Sequence, residues 1–267
     1  MGLTPLLGRM MRRIIPIKYH SPLREAYLAL ASLKYLGNRV TCPYCNGHFR
    51  KFVPYPVPRR PNALCPRCGS AERHRLLWLY LRDKTSFFSD NLNVLDIGPS
   101  WCYSKKFRTL PNLNYISCDI SSPLAMVLTD ITYIPFSDNS FDCIICYHIL
   151  DQIPDDRQAM RELFRILKPG AGAILQEPIP RNQKETVESL TITSPDEENV
   201  DSSGYVFGPG NHVRLYGQDY KDRLEEVGFM VKVDGYVREL PDDLIEKYGL
   251  DKNEDVYFCS KPRSKSY

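Results

Sequence analysis

"VLDIGPSWCY", residues 94–103, is the stretch that decides the fold. Val94, Leu95 and Ile97 make an apolar strand, Asp96 sits near its end, and Gly98 opens a turn. A strand running into a glycine turn is how a doubly wound α/β sheet opens its ligand corner, because a residue without a Cβ lets a ligand approach the backbone. A dinucleotide site expects two further glycines at alternating positions. Ser100 and Cys102 stand there instead, with the bulky Trp101 between them. A pyrophosphate would meet Trp101, so a nicotinamide dinucleotide is disfavoured.

Working outward, strands alternate with helices. "LNYISCDI" (113–120) and "PLAMVLTDI" (123–131) read as strands, and "SKKFRTL" (104–110) as a short helix before them. "FDCIICYHIL" (141–150) reads as a buried strand, "DDRQAMRELFRIL" (155–167) as an amphipathic helix closed by "KPG", and "AGAILQEPI" (171–179) as the next strand. "YGQDYKDRLEEVGF" (216–229) is a helix ending at Gly228, followed by strands "FMVKVDGY" and "DVYFCS". This alternation predicts a mostly parallel sheet covered on both faces, with ligands bound beyond the carboxyl ends of its strands. Those ends carry Gly98, Asp119, Asp130, and the pair Tyr147 and His148. Asp119 lies 21 positions after Gly98, about the offset of an acid that accepts hydrogen bonds from ribose hydroxyls.

Over roughly residues 92–260 the chain resembles the class I S-adenosylmethionine-dependent methyltransferases. The most specific stretch is "TDITYIPFSDNSFDCIICYHILDQIPDDRQAMRELFRILKPGAGAIL", residues 129–175, whose acidic residue, Pro-Phe pair, "SFD", apolar strand and "LKPG" follow the frame of small-molecule methyltransferases. The resemblance implies a seven-stranded Rossmann-like sheet with helices on both faces and an antiparallel last strand. It implies that Gly98 lies by the methionine moiety, that Asp119 with Ile120 holds the ribose end, and that Asp130 with the Ile131 backbone reads the adenine. Asp96 and Ser100 complete the expected cofactor set, and Tyr147 would flank the transferring methyl. Methionine carries no pyrophosphate, so one glycine can supply the close approach while Ser100 still offers a backbone N–H and a hydroxyl.

Nine cysteines is an odd number and argues against a disulfide framework. Four form two pairs, "CPYC" (Cys42, Cys45) and "CPRC" (Cys65, Cys68), with nineteen residues between the pairs. Two such knuckles aim four thiolates at one tetrahedral Zn²⁺, and four sulfur ligands leave no open position for catalysis. His48 is the alternative to Cys45. Gly47 and Gly69 suit the knuckle turns, while the proline-rich "VPYPVPRRPN" between the pairs is expected to form no regular element. The other five cysteines read as small packed hydrophobes. Beyond the second knuckle, Ser70 is a candidate N-cap for the helix "AERHRLLWLYL". Arg73, His74 and Arg75 at its start form either a nucleic-acid contact or a solvated face.

The net charge of +3 divides unevenly: residues 1–75 sum to +12 and the remainder to −9. A basic segment can meet phosphates, or its charge can be neutralised against the acidic part. Histidine suits a general base, and His148 and His212 lie in the main domain. His212, Arg214 and Tyr216 alternate along an extended segment and would line a pocket for a polar acceptor. Residues 178–211 are long for a connection and read as an acidic substrate lid. "LREAYLALASLKYL" (23–36) reads as a helix whose leucines pack on the catalytic domain. No run reaches the ~20 apolar residues of a membrane span, and the start lacks the pattern of a secretory signal, so a cytoplasmic location is expected.

The chain thus divides into a basic helical segment (1–40), a zinc ribbon (41–70), a linking helix (71–90), a methyltransferase domain (91–261) and a tail (262–267). Three functions fit. One is a methyltransferase using S-adenosyl-L-methionine on a small-molecule or saccharide acceptor, with structural Zn²⁺. Another is an RNA methyltransferase whose basic ribbon holds the substrate. The last is a non-catalytic scaffold.

Overall fold

The structure is a computed structural model that describes residues 20–55, 60–188, 199–200, 206–207 and 212–263. Helix α1 (His20–Ser32) leads through a 3₁₀ turn at Leu33–Tyr35 into β1 (Leu36–Thr41), which pairs with β2 (His48–Phe49). The proline-rich stretch, expected to lack regular structure, has paired ends: β3 (Val53–Tyr55) lies antiparallel to β4 (Arg60–Leu64). A two-stranded ribbon has two edges, where Pro54 and Pro61 need no ladder donor. Helix α2 (Glu72–Lys84) follows the second knuckle.

The main domain begins with β5 (Leu92–Ile97), α3 (Ser104–Phe107) and β6 (Leu113–Asp119). Of the strand expected over 123–131 only β7 (Val127–Leu128) forms. Then come β8 (Phe141–Tyr147), α4 (Asp156–Ile166) and β9 (Leu167–Gln176). Short pairs follow, β10 (Val187–Glu188) with β13 (Arg214–Leu215), and β11 (Asn199–Val200) with β12 (Val206–Phe207). The chain closes with α5 (Tyr220–Val227), β14 (Met230–Asp234), α6 (Asp242–Tyr248), which sequence reading missed, and β15 (Val256–Ser260). Most of the expected lid, including its acidic run at Asp196, Glu197, Glu198 and Asp201, lies outside the described residues, as do residues 1–19.

Seven strands make one sheet in the order β7-β6-β5-β8-β9-β15-β14. The five from β7 to β9 are parallel, and β15 runs antiparallel to both its neighbours. The pleat sorts side chains to two cores. Leu95, Ile97, Ile144 and Cys146 pack with α4 and α5 on one face. Val94, Ile145 and Tyr147 pack with α2 and Val237 on the other. Covered on both faces, β5 and β8 are nearly unbroken apolar runs. Helix α4 starts where Asp155 accepts the Gln158 N–H (2.9 Å), and α5 ends at Gly228 in the left-handed region (φ 115°). All nine cysteines are free.

Helix α1 departs from expectation. Its leucines do not pack on the catalytic domain: Leu23 is 49% exposed and Leu30 69%. It is held by its other flank, through the Glu25–Lys105 ion pair (2.9 Å) and the approach of Arg24 and Leu28 to Gly69. No helix among the described residues is long and apolar enough to cross a membrane.

Candidate functional site

Gly98 follows β5 with φ 65°, its N–H donating to Cys118 O (2.9 Å). A Cβ there would lie 2.3 Å from Ile149 Cδ1 and 3.9 Å from Asp119 Oδ2. Glycine is therefore required by both backbone angle and space. Asp119 ends β6, and its Oδ1 accepts the N–H groups of Ser121 (2.8 Å) and Ser122 (2.7 Å), which fixes the carboxylate beside Gly98. Ile120 next to it is 71% exposed and offers an apolar shelf. Asp130 is exposed and bound by the Thr132 N–H (2.8 Å) and hydroxyl (2.7 Å), while Ile131 is buried. Asp96 is buried behind this corner: Tyr115 OH donates to its Oδ2 (2.5 Å), while Oδ1 has no partner. Burial pushes its carboxyl up to about 7, against the pull of the Tyr115 hydrogen bond.

Trp101 does not block the corner. It turns outward, 38% exposed, with the Arg24 guanidinium 5.9 Å from its ring. The Ser100 hydroxyl meets Cys102 Sγ at 3.2 Å, and burial pushes the Cys102 thiol up to about 12, so it is an inert packing group. A sulfonium nucleoside needs a fixed carboxylate for its ribose, an apolar shelf for its base and one open stretch of backbone. Asp119, Ile120 and Gly98 fit those needs.

At the end of β8 the chain turns sharply. His148 has φ 59°, a left-handed conformation that costs a non-glycine residue about 1–3 kcal/mol and concentrates at functional turns. Its N–H donates to Gln176 O (2.8 Å), and its ring stacks on Tyr147 (5.3 Å, 6°). Tyr147 was expected to flank the methyl. Its hydroxyl donates to Arg73 O (3.2 Å), which ties the ring to the first turn of α2. Burial, then the charges of Arg73, His74 and His212, hold the His148 imidazole well below the usual histidine range.

Two carboxylates that sequence reading missed complete this end. Glu177 follows β9 and accepts the Ile149 (3.1 Å) and Leu150 (2.8 Å) N–H groups. Burial, then the neighbouring Asp151, pushes it well above the usual carboxylate range. Asp151 Oδ2 lies 2.7 Å from His212 Nδ1, and Val213 N–H donates to Asp151 O (2.9 Å). Glu177 carries the same sequence signal as Asp119, an acidic residue at the carboxyl end of a strand.

Arg214 and Tyr216 do not line a pocket with His212. Arg214 donates to Leu150 O (3.0 Å) and Pro154 O (2.8 Å) and pairs with Glu188 (2.9 Å), while Tyr216 OH donates to Asp156 Oδ2 (2.7 Å). Both are buried straps that hold the turn before α4. The Arg73–Arg75 triplet is not one solvated basic face either, because Arg75 is turned inward. Arg75 is 0% exposed, donating to Ala63 O, Ser70 O, Tyr248 O and Gly249 O (2.6–2.9 Å). His74 Nδ1 accepts the Ala71 N–H (3.1 Å), making Ala71 the N-cap residue of α2 in place of Ser70.

Ser70 has another task. Its hydroxyl lies 3.3 Å from Cys42 Sγ and 3.2 Å from Cys68 Sγ. The four knuckle sulfurs all lie within 4.8 Å of one another, with Cys42–Cys68 and Cys45–Cys65 both at 3.7 Å. A tetrahedron with Zn–S of about 2.3 Å has an edge of about 3.8 Å, so the cage already has the dimensions of a tetrathiolate zinc site. His48 is not part of it: its Nδ1 meets Thr41 Oγ1 at 3.0 Å. The first knuckle places Asn46, not Gly47, in the left-handed region (φ 53°), and the second uses Gly69 (φ 72°).

Residues 95–175 match the family model described as a methyltransferase domain. The chain is 32% identical over 124 residues to the ubiquinone/menaquinone biosynthesis C-methyltransferase UbiE of Hahella chejuensis, covering 39% of this chain and 49% of that one. It is 42% identical over 45 residues to the demethylmenaquinone methyltransferase of Lactiplantibacillus plantarum, covering 17% and 19%. The chain thus spans about half or less of the length of these curated relatives. A solved S-adenosylmethionine-dependent methyltransferase from Mesorhizobium loti superposes with a TM-score of 0.45 at 13% identity, over 68% of this chain and 96% of that one. Residues 95–175 are thus similar to a methyltransferase domain, and they lie within a sheet whose seven strands and antiparallel β15 are those that the resemblance to class I S-adenosylmethionine-dependent methyltransferases implies.

Proposed function

We propose that this chain transfers a methyl group from S-adenosyl-L-methionine to a small-molecule acceptor, and that its four paired cysteines hold one structural Zn²⁺. The observation that carries the reading is the carboxyl edge of the sheet, where Gly98 and Asp119 face each other beside the turn at His148–Asp151. When bound there, the sulfonium cofactor supplies an activated methyl that needs alignment more than covalent assistance. Asp119, held by two backbone N–H groups, presents its second oxygen to the ribose position, and Gly98 leaves its backbone open. Asp151 Oδ2 accepts the Nδ1–H of His212, setting the tautomer and strengthening the ring as a base for an acceptor that carries a proton. Glu177 pins the turn that carries His148 and Asp151.

The curated relatives are named as methyltransferases of quinone biosynthesis, which supports an organic small molecule as acceptor. Burial of Arg75 against backbone carbonyls takes one charge out of the basic cluster on which an RNA-binding reading drew, which favours the small-molecule reading. Four sulfur ligands make the metal structural, and the nine free thiols suit a reducing compartment such as the cytoplasm. Native mass spectrometry tests both parts. The full chain should carry one zinc that Cys42→Ser removes, and should add one S-adenosylhomocysteine. A chain that carries zinc but never the nucleoside would leave the scaffold reading in its place.

A further inference from the structure

We propose that the metal module closes the acceptor pocket and that Arg73 reads an anionic group, a carboxylate or a phosphate, on the methyl acceptor. This inference rests on the methyl-transfer reading of Gly98 and Asp119 and names the substrate class of that site.

Position comes first. Arg73 lies in the first turn of α2, five residues beyond the last thiolate ligand. Its carbonyl is bound by Tyr147 at the end of β8, and the next residue, His74, sets its ring edge-on to Tyr103 (5.7 Å) in the loop that follows Gly98. Arg73 therefore bridges the cofactor corner and the β8 turn, between which an acceptor must lie to receive the methyl.

The guanidinium itself is only partly exposed, lying 6.0 Å from the Tyr55 ring of the β3–β4 hairpin. Arg60 from the same hairpin covers the same ring at 4.7 Å, but it is spoken for by Glu72 (3.3 Å). Arg73 makes no ion pair within 4.0 Å among the described residues, although its charge acts on the buried Glu254 carboxyl and on the Tyr55 hydroxyl. An arginine withdrawn from water is normally matched by a carboxylate, and its planar fork suits a carboxylate or phosphate in two-point contact. Arg75, two residues on, shows the contrast: every direction of its fork is already filled by a backbone carbonyl.

The surroundings are short of partners too. Among the described residues, the buried polar atoms with no hydrogen bond include His148 Nε2, Glu177 Oε2 and Asp151 Oδ1, all on this one turn and the strand end that pins it. Buried polar groups in folded proteins are nearly always satisfied, so several orphans together mark a place where a ligand supplies the missing bonds. A cation whose charge reaches His148, beside a turn that carries the carboxyl groups of Asp151 and Glu177, suits an acceptor that is anionic at one end and bears a hydroxyl or amine at the other.

The test uses the zinc-loaded full chain saturated with S-adenosylhomocysteine. Benzoate, inorganic phosphate and the neutral isostere benzamide are titrated by calorimetry at constant ionic strength. Binding of benzoate or phosphate without benzamide is expected, and which anion binds separates the two classes. Arg73→Gln should weaken that anion about tenfold or more, and Arg73→Lys less, because the charge stays while the fork is lost. Zinc content and S-adenosylhomocysteine affinity should be unchanged in both variants, which excludes misfolding. Equal binding of benzoate and benzamide, no saturation by either anion at tens of millimolar, or an unchanged anion affinity in Arg73→Gln would overturn the proposal. The anion titration is repeated without the nucleoside. A chain that fails to bind S-adenosylhomocysteine while keeping its Arg73-dependent anion site would break the methyl-transfer reading alone.

Discussion

Replacing Arg75 with methionine should be among the most damaging single changes outside the catalytic corner. The guanidinium joins two parts of the molecule: it donates to Ala63 O (2.9 Å) and Ser70 O (2.7 Å) in the cysteine module, and to Tyr248 O and Gly249 O (both 2.6 Å) at the end of α6. It also lies 4.2 Å from the Phe52 ring. Methionine keeps much of the apolar stem and strands four carbonyls. A charged hydrogen bond contributes roughly 1.5–3 kcal/mol net, which would give a large total for four. They share one cation, however, whose own burial is costly, as the downward push of desolvation on its pKa indicates. Removing one member of a buried charged network costs about 3–5 kcal/mol, and that is the expected loss. For a chain of this size it corresponds to a fall in Tm of about 6–15 °C. Scanning calorimetry on zinc-loaded Arg75→Met checks it, with Arg75→Lys expected to recover only part, since one ammonium cannot reach both parts. A loss below about 1 kcal/mol would mean that Arg75 does not tie the metal module to the sheet domain.

Gly98→Ala adds a methyl 2.3 Å from Ile149 Cδ1 at φ 65°, so it should cost about 1–2 kcal/mol of stability and weaken S-adenosylhomocysteine as Ile149 is displaced, both readable in one thermal-shift series. Asp96 is pushed up to about 7 from its ordinary 3.8, so the folded chain keeps a proton that the unfolded chain has lost. That contribution is complete below about pH 4 and declines as pH rises through 7; relative to Asp96→Asn, the parent should lose about 2–3 kcal/mol between pH 5 and pH 8 in urea titrations. Chelation should unfold the knuckles and release Tyr44 from the edge of Trp78, which it meets at 5.1 Å. In a Trp101→Phe background, which leaves Trp78 as the sole tryptophan, emission should shift to the red on zinc removal and return on re-addition.

Much of this architecture was legible in the chain. Strands covered on both faces are largely apolar, so β5 and β8 announced themselves, and the two C-x-x-C pairs pointed to the cluster in which the sulfurs of Cys42, Cys45, Cys65 and Cys68 lie within 4.8 Å of one another. Both Gly98 and Asp119 are marked by their places at strand ends, and the fold brings them side by side. What escaped reading depends on distant partners. Arg75 reads as a surface charge because two of its carbonyl partners lie 173 and 174 residues away. Arg214 and Tyr216 alternate as a strand does, but Arg214 lies in a two-residue strand against Glu188 and Tyr216 bonds Asp156, so neither walls a pocket. Helix α1 shows apolar spacing and yet turns those residues outward, because Glu25 and Arg24 make the contacts that orient it. Asp151 gave no signal at all, since its significance comes from His212, 61 residues downstream.

The central claim is that Asp119 and Gly98 form a working cofactor corner. Calorimetric titration of S-adenosylhomocysteine into the zinc-loaded chain tests it most directly, beside Asp119→Ala and Asp119→Asn. Asparagine can still accept the Ser121 and Ser122 N–H groups, so it separates loss of the loop from loss of the ribose partner. Saturable binding to one site per chain, weakened by Asn and abolished by Ala, is the predicted result. Absence of binding with zinc and fold intact, or equal binding by all three proteins, would contradict the account.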